Sequence, residues 1–175
     1  MLGNGFEEIE ALSVVDVARR AGIETLMVSV SCDNQVESSR GIRVIADKLL
    51  DEISVERTDM IVIPGGKGVQ VLEESKKLSE LLKVHRSYKG CIAAICAGPS
   101  IPGKLGLFDG VKAACYPGYE KYLLGANIVF DDVVIDDNCI TARGAGVSLA
   151  FAYEIVTAVK GAAEVKKLKE AMIFR

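Results

Sequence analysis

Apolar positions along the chain fall into two alternating patterns. Short β-branched runs occupy Thr25 to Val30, Met60 to Ile63, Cys91 to Ile95, Val133 to Ile135 and Cys139 to Ala142, and segments of helical period separate them. Strand alternating with helix predicts a parallel sheet covered on both faces. The first helix is predicted over Glu7 to Ala21, with acids in its opening turn and Gly22 ending it. Residues 10, 14, 17 and 21 share one stripe of that helix, so the Glu10 carboxyl faces the core with Val14, Val17 and Ala21. A second helix, Ser75 to Tyr88, turns Leu78, Leu81 and Leu82 inward. A third, Val147 to Val159, turns in Ala150, Phe151, Ile155 and Ala158.

The start of the chain breaks the pattern. Only Met1 to Phe6 precedes the first helix, with Leu2 the one aliphatic residue, so the strand that should open such a fold is missing or truncated. About five buried strand residues contribute about 1.5–3 kcal/mol each, against a typical domain stability of about 5–15 kcal/mol. The expectation is therefore a sequence that starts late.

The chain has 175 residues, half of them hydrophobic and 26% charged, with a net charge of −3. No repeat or low-complexity linker divides it, so residues 1–175 are expected to form a single domain. The absence of a basic field argues against nucleic acid and anionic membranes as partners. No apolar run reaches the length of a membrane span, and no leader pattern opens the sequence. Cys32, Cys91, Cys96, Cys115 and Cys139 form no C-x-x-C pair, which suits reduced thiols in the cytoplasm.

Chemistry concentrates at two turns. In Gly90 to Pro99 an apolar strand ends at Cys96 and small residues open a helix, the pattern of a nucleophile elbow with sulfur at its tip. Free N–H groups at a helix start would favour thiolate; packing as a small hydrophobe is the competing reading. In Met60 to Gly68 another strand breaks into Pro64-Gly65-Gly66. Ligands bind beyond the carboxyl ends of parallel strands, so the two turns would line one crevice, with the Gly66 N–H as an oxyanion donor. The glycines match neither a phosphate loop nor a dinucleotide fingerprint. Cys91 alternates to the opposite face of the strand from Cys96, Cys115 reads as a strand-end thiol, and Asp131, Asp132, Asp136 and Asp137 read as turn acids rather than metal ligands.

Together, Gly5 to Glu10, Asp16 to Gly22, Pro64-Gly65-Gly66, Ala93 to Pro99, Tyr116-Pro117 and Ala142-Arg143-Gly144 make nearly the whole chain resemble the ThiJ/PfpI family, in the branch of the human Parkinson-disease-associated protein and its bacterial relatives. The resemblance implies a flavodoxin-like three-layer α/β/α sandwich of the class I glutamine amidotransferase type. It also implies a homodimer and a site with no cofactor or metal. By the same resemblance Cys96 is the reactive cysteine and Glu10 its carboxyl partner. Gly65, Gly66 and Ala97 form the anion pocket, with Tyr116 and Pro117 in support and Arg40 matching an arginine that lies near the cysteine across the dimer. The sequence departs from the family where Tyr116 and Ala97 stand at positions that carry histidine in related glyoxalases and peptidases. His85, the one histidine, falls inside the second helix, so peptidase chemistry is disfavoured. The expected activity is glyoxalase- or deglycase-type conversion of methylglyoxal or glyoxal adducts to hydroxy acids. The alternative is a peroxide sensor or stress-protective chaperone acting through oxidation of Cys96. Any thiamine-pathway label would be inherited.

Overall fold

Glu7 stands before the first helix in extended conformation, and its side chain accepts the Glu10 N–H at 2.8 Å, which starts α1 (Glu8–Arg20). The computed structural model describes residues 1–54 and 58–174. Its central sheet contains β5 (Met60–Ile63), β6 (Cys91–Ile95), β10 (Cys139–Ala142) and β9 (Val133–Asp136), in that order. The first three run parallel, and β9 closes the edge antiparallel to β10. Register pairs Ile63 with Ala94 and Ala142 with Ile95, so β5, β6 and β10 release their chains at one edge.

Both faces are covered, as the uninterrupted apolar strands require. On one face α3 (Lys76–Ser87) packs Leu78 and Leu82 against Ile61, Ile63, Ile92 and Ala94. On the other, α1 and α5 (Ser148–Lys160) bring Val14, Val17, Phe151 and Ile155 onto Ala93, Ile95 and Ile140. α6 (Ala162–Ala171) adds Val165 and Leu168 to that layer, so the charged C-terminal segment also has a buried side. This is the flavodoxin-like three-layer sandwich. In α5 the expected inward Ala158 is exposed; Ala152, Tyr153 and Val156 are buried instead.

Smaller pairs flank the central sheet: β1 (Val28–Ser29) with β4 (Lys48–Leu49), the hairpin of β2 (Gln35–Glu37) and β3 (Arg43–Ile45), and β7 (Lys112–Ala113) with β8 (Asn127–Ile128). Where the opening strand is expected, two residues bridge the gap. Leu2 bonds Val28 and Val30, and the Met1 ammonium donates to the Val62 carbonyl at 2.8 Å. Burial lowers that ammonium to a pKa of about 5. An apolar cleft of about 540 Å³, lined by Val14, Ala18, Met27, Val62 and Ile155, lies alongside. Among the described residues no helix is long and apolar enough to cross a membrane.

Candidate active site

The turn after β5 and the turn after β6 meet at the carboxyl edge of the sheet. Gly66 pairs antiparallel with Phe6, and the Glu7 N–H donates to the Gly65 carbonyl at 3.1 Å. Those bonds pin the start of α1 to the glycine turn and carry Glu10 inward, one helical turn past Glu7.

Glu10 is 1% exposed. Its Oε2 accepts the Gly65 N–H at 2.7 Å. Oε1 is buried with no well-formed hydrogen bond, and the Cys96 thiol is the polar side chain that acts on the carboxyl. Burial pushes the Glu10 pKa up from 4.5 to about 7, against the lowering effects of the Gly65 and Cys96 hydrogen bonds. Gly65 leaves no room to spare. A Cβ there would stand 2.8 Å from Cys96 Cβ and 2.9 Å from Glu10 Oε2.

Cys96 is a non-glycine residue held at φ +63°, the strained backbone of a nucleophile elbow. Its N–H donates to Ala142 O at 2.9 Å, its carbonyl accepts the Tyr116 N–H at 2.8 Å, and its half-buried side chain touches both core layers. The N–H groups of Ala97 and Gly66 act on the sulfur. Gly65 does not join them, because its N–H is spent on Glu10.

The expectation of an acidified thiol is corrected here. Burial pushes Cys96 up to about 12, and the charge of Glu10 adds to the rise, outweighing the two backbone donors. α4 (Ser100–Lys104) is five residues long and starts four residues beyond Cys96, too short and too far to supply the expected helix dipole. Glu10 and Cys96 therefore titrate as a pair. Burial raises both groups, and the loss of the first proton makes the second harder to remove.

Tyr116 and Pro117 are exposed beside the elbow. Arg40 lies on the exposed turn between β2 and β3, its Nη1 3.5 Å from Ser39 O. His85 is fully buried, its Nε2 2.9 Å from the Cys91 carbonyl, which joins α3 to β6. Cys91 packs in the layer with α1 and α5, while Cys115 and Cys139 are buried in the other layer. Asp137 pairs with Arg86, Asp136 accepts the Lys112 N–H, and no cluster of metal-ligating side chains occurs among the described residues. Sequence reasoning missed Gly65 as the donor that holds Glu10, and it missed the Ala142 carbonyl. Both are backbone contacts between distant segments.

A parallel α/β sandwich with a strained cysteine at the sheet edge and a buried carboxyl beside it defines a class of elbow-cysteine proteins. Within that class the chain belongs to the DJ-1/PfpI family, whose model matches residues 1–158. It is 33% identical over 176 residues to Protein dj-1beta of Drosophila melanogaster, covering 99% of this chain and 94% of the fly protein. It is 35% identical over 156 residues to glutathione-independent glyoxalase DJR-1.2 of Caenorhabditis elegans, covering 89% and 83% of the two chains. The solved structure of oxidized Toxoplasma gondii DJ-1 superposes with a TM-score of 0.92 at 33% identity, over 98% of this chain and 94% of that one.

Proposed function

We propose that the protein is a cofactor-independent glyoxalase in which Cys96 is the nucleophile and Glu10 the proton shuttle. The observation that carries this reading is Glu10: a carboxyl with a pKa of about 7, held against the elbow sulfur, suits acid and base work near neutrality. A relative of similar length bears the name of a glutathione-independent glyoxalase.

In the first step the Cys96 sulfur attacks the aldehyde carbon of methylglyoxal. An S–C bond forms, the carbonyl π pair moves to oxygen, and the Glu10 proton neutralises it. Glu10 then takes the proton from that carbon, and a proton is returned to the neighbouring carbon through an enediol. One carbon is oxidised and the other reduced, which leaves a thioester of lactate on Cys96. Water cleaves the S–C bond, releasing lactate and restoring the thiol. The Gly66 and Ala97 N–H groups stabilise negative charge near the sulfur during these steps. Adducts of the aldehyde with amines or thiols, the deglycase substrates, enter through the aldehyde they release.

The test is lactate formation from methylglyoxal by the purified protein. Cys96→Ser should abolish it, and Glu10→Gln should slow it by about 10²–10⁴-fold. No lactate from the wild type refutes the proposal.

A second reading rests on the buried, unbonded Glu10 Oε1. A protonated Glu10 there can donate to an oxygen of oxidised Cys96, which suits a peroxide sensor. The chain is also proposed to act as a homodimer. Ile9 on α1 and Ile42 and Ile45 on the β2–β3 hairpin are each about half exposed, and the hairpin turn is tied to the start of α1 through Ser39 and Phe6. Sedimentation of Ile9→Arg should give monomer where the wild type gives dimer. The five thiols are free, which suits the reducing cytoplasm.

A further inference from the structure

Three tyrosines leave the elbow as a ladder. Tyr116 and Tyr119 meet edge to face with centroids 6.4 Å apart at 78°, and Tyr119 and Tyr122 do so at 5.7 Å and 62°. Both ends of the ladder are tied to the segment that carries Cys96. At one end the Tyr116 N–H bonds the Cys96 carbonyl. At the other, Lys104 of α4 lies 4.3 Å from the Tyr122 ring centroid, and the Tyr122 carbonyl packs so closely on Gly103 that a Cβ there would come within 2.6 Å.

The Tyr116 ring faces outward at the carboxyl edge of the sheet. Its Cδ2 lies 3.6 Å from where a Gly144 side chain would begin, and Gly144 follows β10, the strand whose Ala142 carbonyl holds the Cys96 N–H. Half of Tyr116 is exposed, while Tyr119 and Tyr122 pack with Cys96 against one core layer. A ring fixed from behind and open in front presents an aromatic surface whose ordering was completed in folding, so a ligand does not bear that cost. Aromatic groups bind such a surface in offset or edge contact.

We infer that Tyr116, backed by Tyr119, is the specificity wall of the Cys96 site, and that the site favours a 2-oxoaldehyde with an aryl substituent over one with a methyl group. The inference deepens the glyoxalase reading and rests on Cys96 attacking the aldehyde with its substituent turned toward the ladder.

The test needs no turnover. Phenacyl bromide and bromoacetone each alkylate a thiolate, forming S–C and releasing bromide, and differ in phenyl against methyl. Their rate ratio at Cys96, read by peptide mass and divided by the same ratio for glutathione, should be about 2–10 in the wild type. It should fall to about 1 in Tyr116→Ala and persist in Tyr116→Phe. Tyr116→Leu, apolar but not aromatic, should match the alanine variant and replaces it if that variant does not fold. A wild-type ratio of 1 or less, or a raised ratio that survives loss of the ring, overturns the inference. A raised, Tyr116-dependent ratio in a protein that makes no lactate sustains the aromatic wall and refutes the glyoxalase reading alone.

Discussion

Replacing Glu10 with glutamine should change how stability depends on pH, and the size follows from the carboxyl's burial. The unfolded chain releases this proton near 4.5 and the folded chain near 7. Between those values the native state keeps a proton that the unfolded state has lost. The stability linked to it is complete below pH 4.5, declines as pH rises, and is gone above about 7. At about 1.4 kcal/mol per pH unit, the decline amounts to about 3 kcal/mol. Glu10→Gln stays neutral, and its amide oxygen can still accept the Gly65 N–H. Urea unfolding at intervals from pH 4.5 to 8 should show variant and wild type converging at the acid end and the variant gaining by up to about 3 kcal/mol at the alkaline end, with equal m-values. The Cys96 hydrogen bond lowers the Glu10 pKa, so Cys96→Ala should carry the decline to higher pH. A difference between Glu10→Gln and wild type that does not vary with pH refutes the reasoning.

Cys96 alkylation should rise through an inflection near pH 7 in the wild type, and Glu10→Gln should lose it; an unchanged profile means the two groups are not coupled. Mild peroxide should add two oxygens to Cys96, consuming two peroxides and releasing two waters, whereas oxidation spread over all five cysteines argues against a protected sulfinate. Gly90→Ala should destabilise the fold by about 1–3 kcal/mol, because its Cβ would fall 2.2 Å from the His85 ring; an unchanged urea midpoint refutes that packing account.

Strands β5 and β6 are legible in the sequence because each is an unbroken apolar run, the mark of burial on both faces. Ser75 announces α3 because its hydroxyl caps Leu78. β7 and β8 are two residues each, too short for any period, and six-residue α2 (Val69–Glu74) shows little more. At the site, periodicity turns Glu10 inward, and strand-then-small-residues marks Cys96 as an elbow. The bond from Gly65 to Glu10 spans 55 positions and uses a backbone N–H, which no side-chain pattern advertises. The thiol's pKa went the wrong way for a related reason. Reading the elbow as a helix start credits the sulfur with a dipole, while the dominant effects are desolvation and a carboxylate folded in from α1.

In the proposed mechanism that carboxylate takes the place of a histidine partner. A histidine partner deprotonates a thiol by becoming a cation, so the pair gains attraction as it ionises. Glu10 works in the opposite sense: ionised, it repels the thiolate and helps push the sulfur toward 12; protonated, it can donate to it. In the proposed reaction the working form is the singly protonated pair with its proton on oxygen, and burial moves the pair toward that form by raising the carboxyl's proton release from near 4.5 to near 7. Gly65 limits how far this goes. By donating to Oε2 it supports the ionised carboxyl, and in allowing Glu10 and Cys96 to approach it excludes any side chain of its own. The backbone turn after β5 thus sets both the distance between the two groups and the balance of the proton they share.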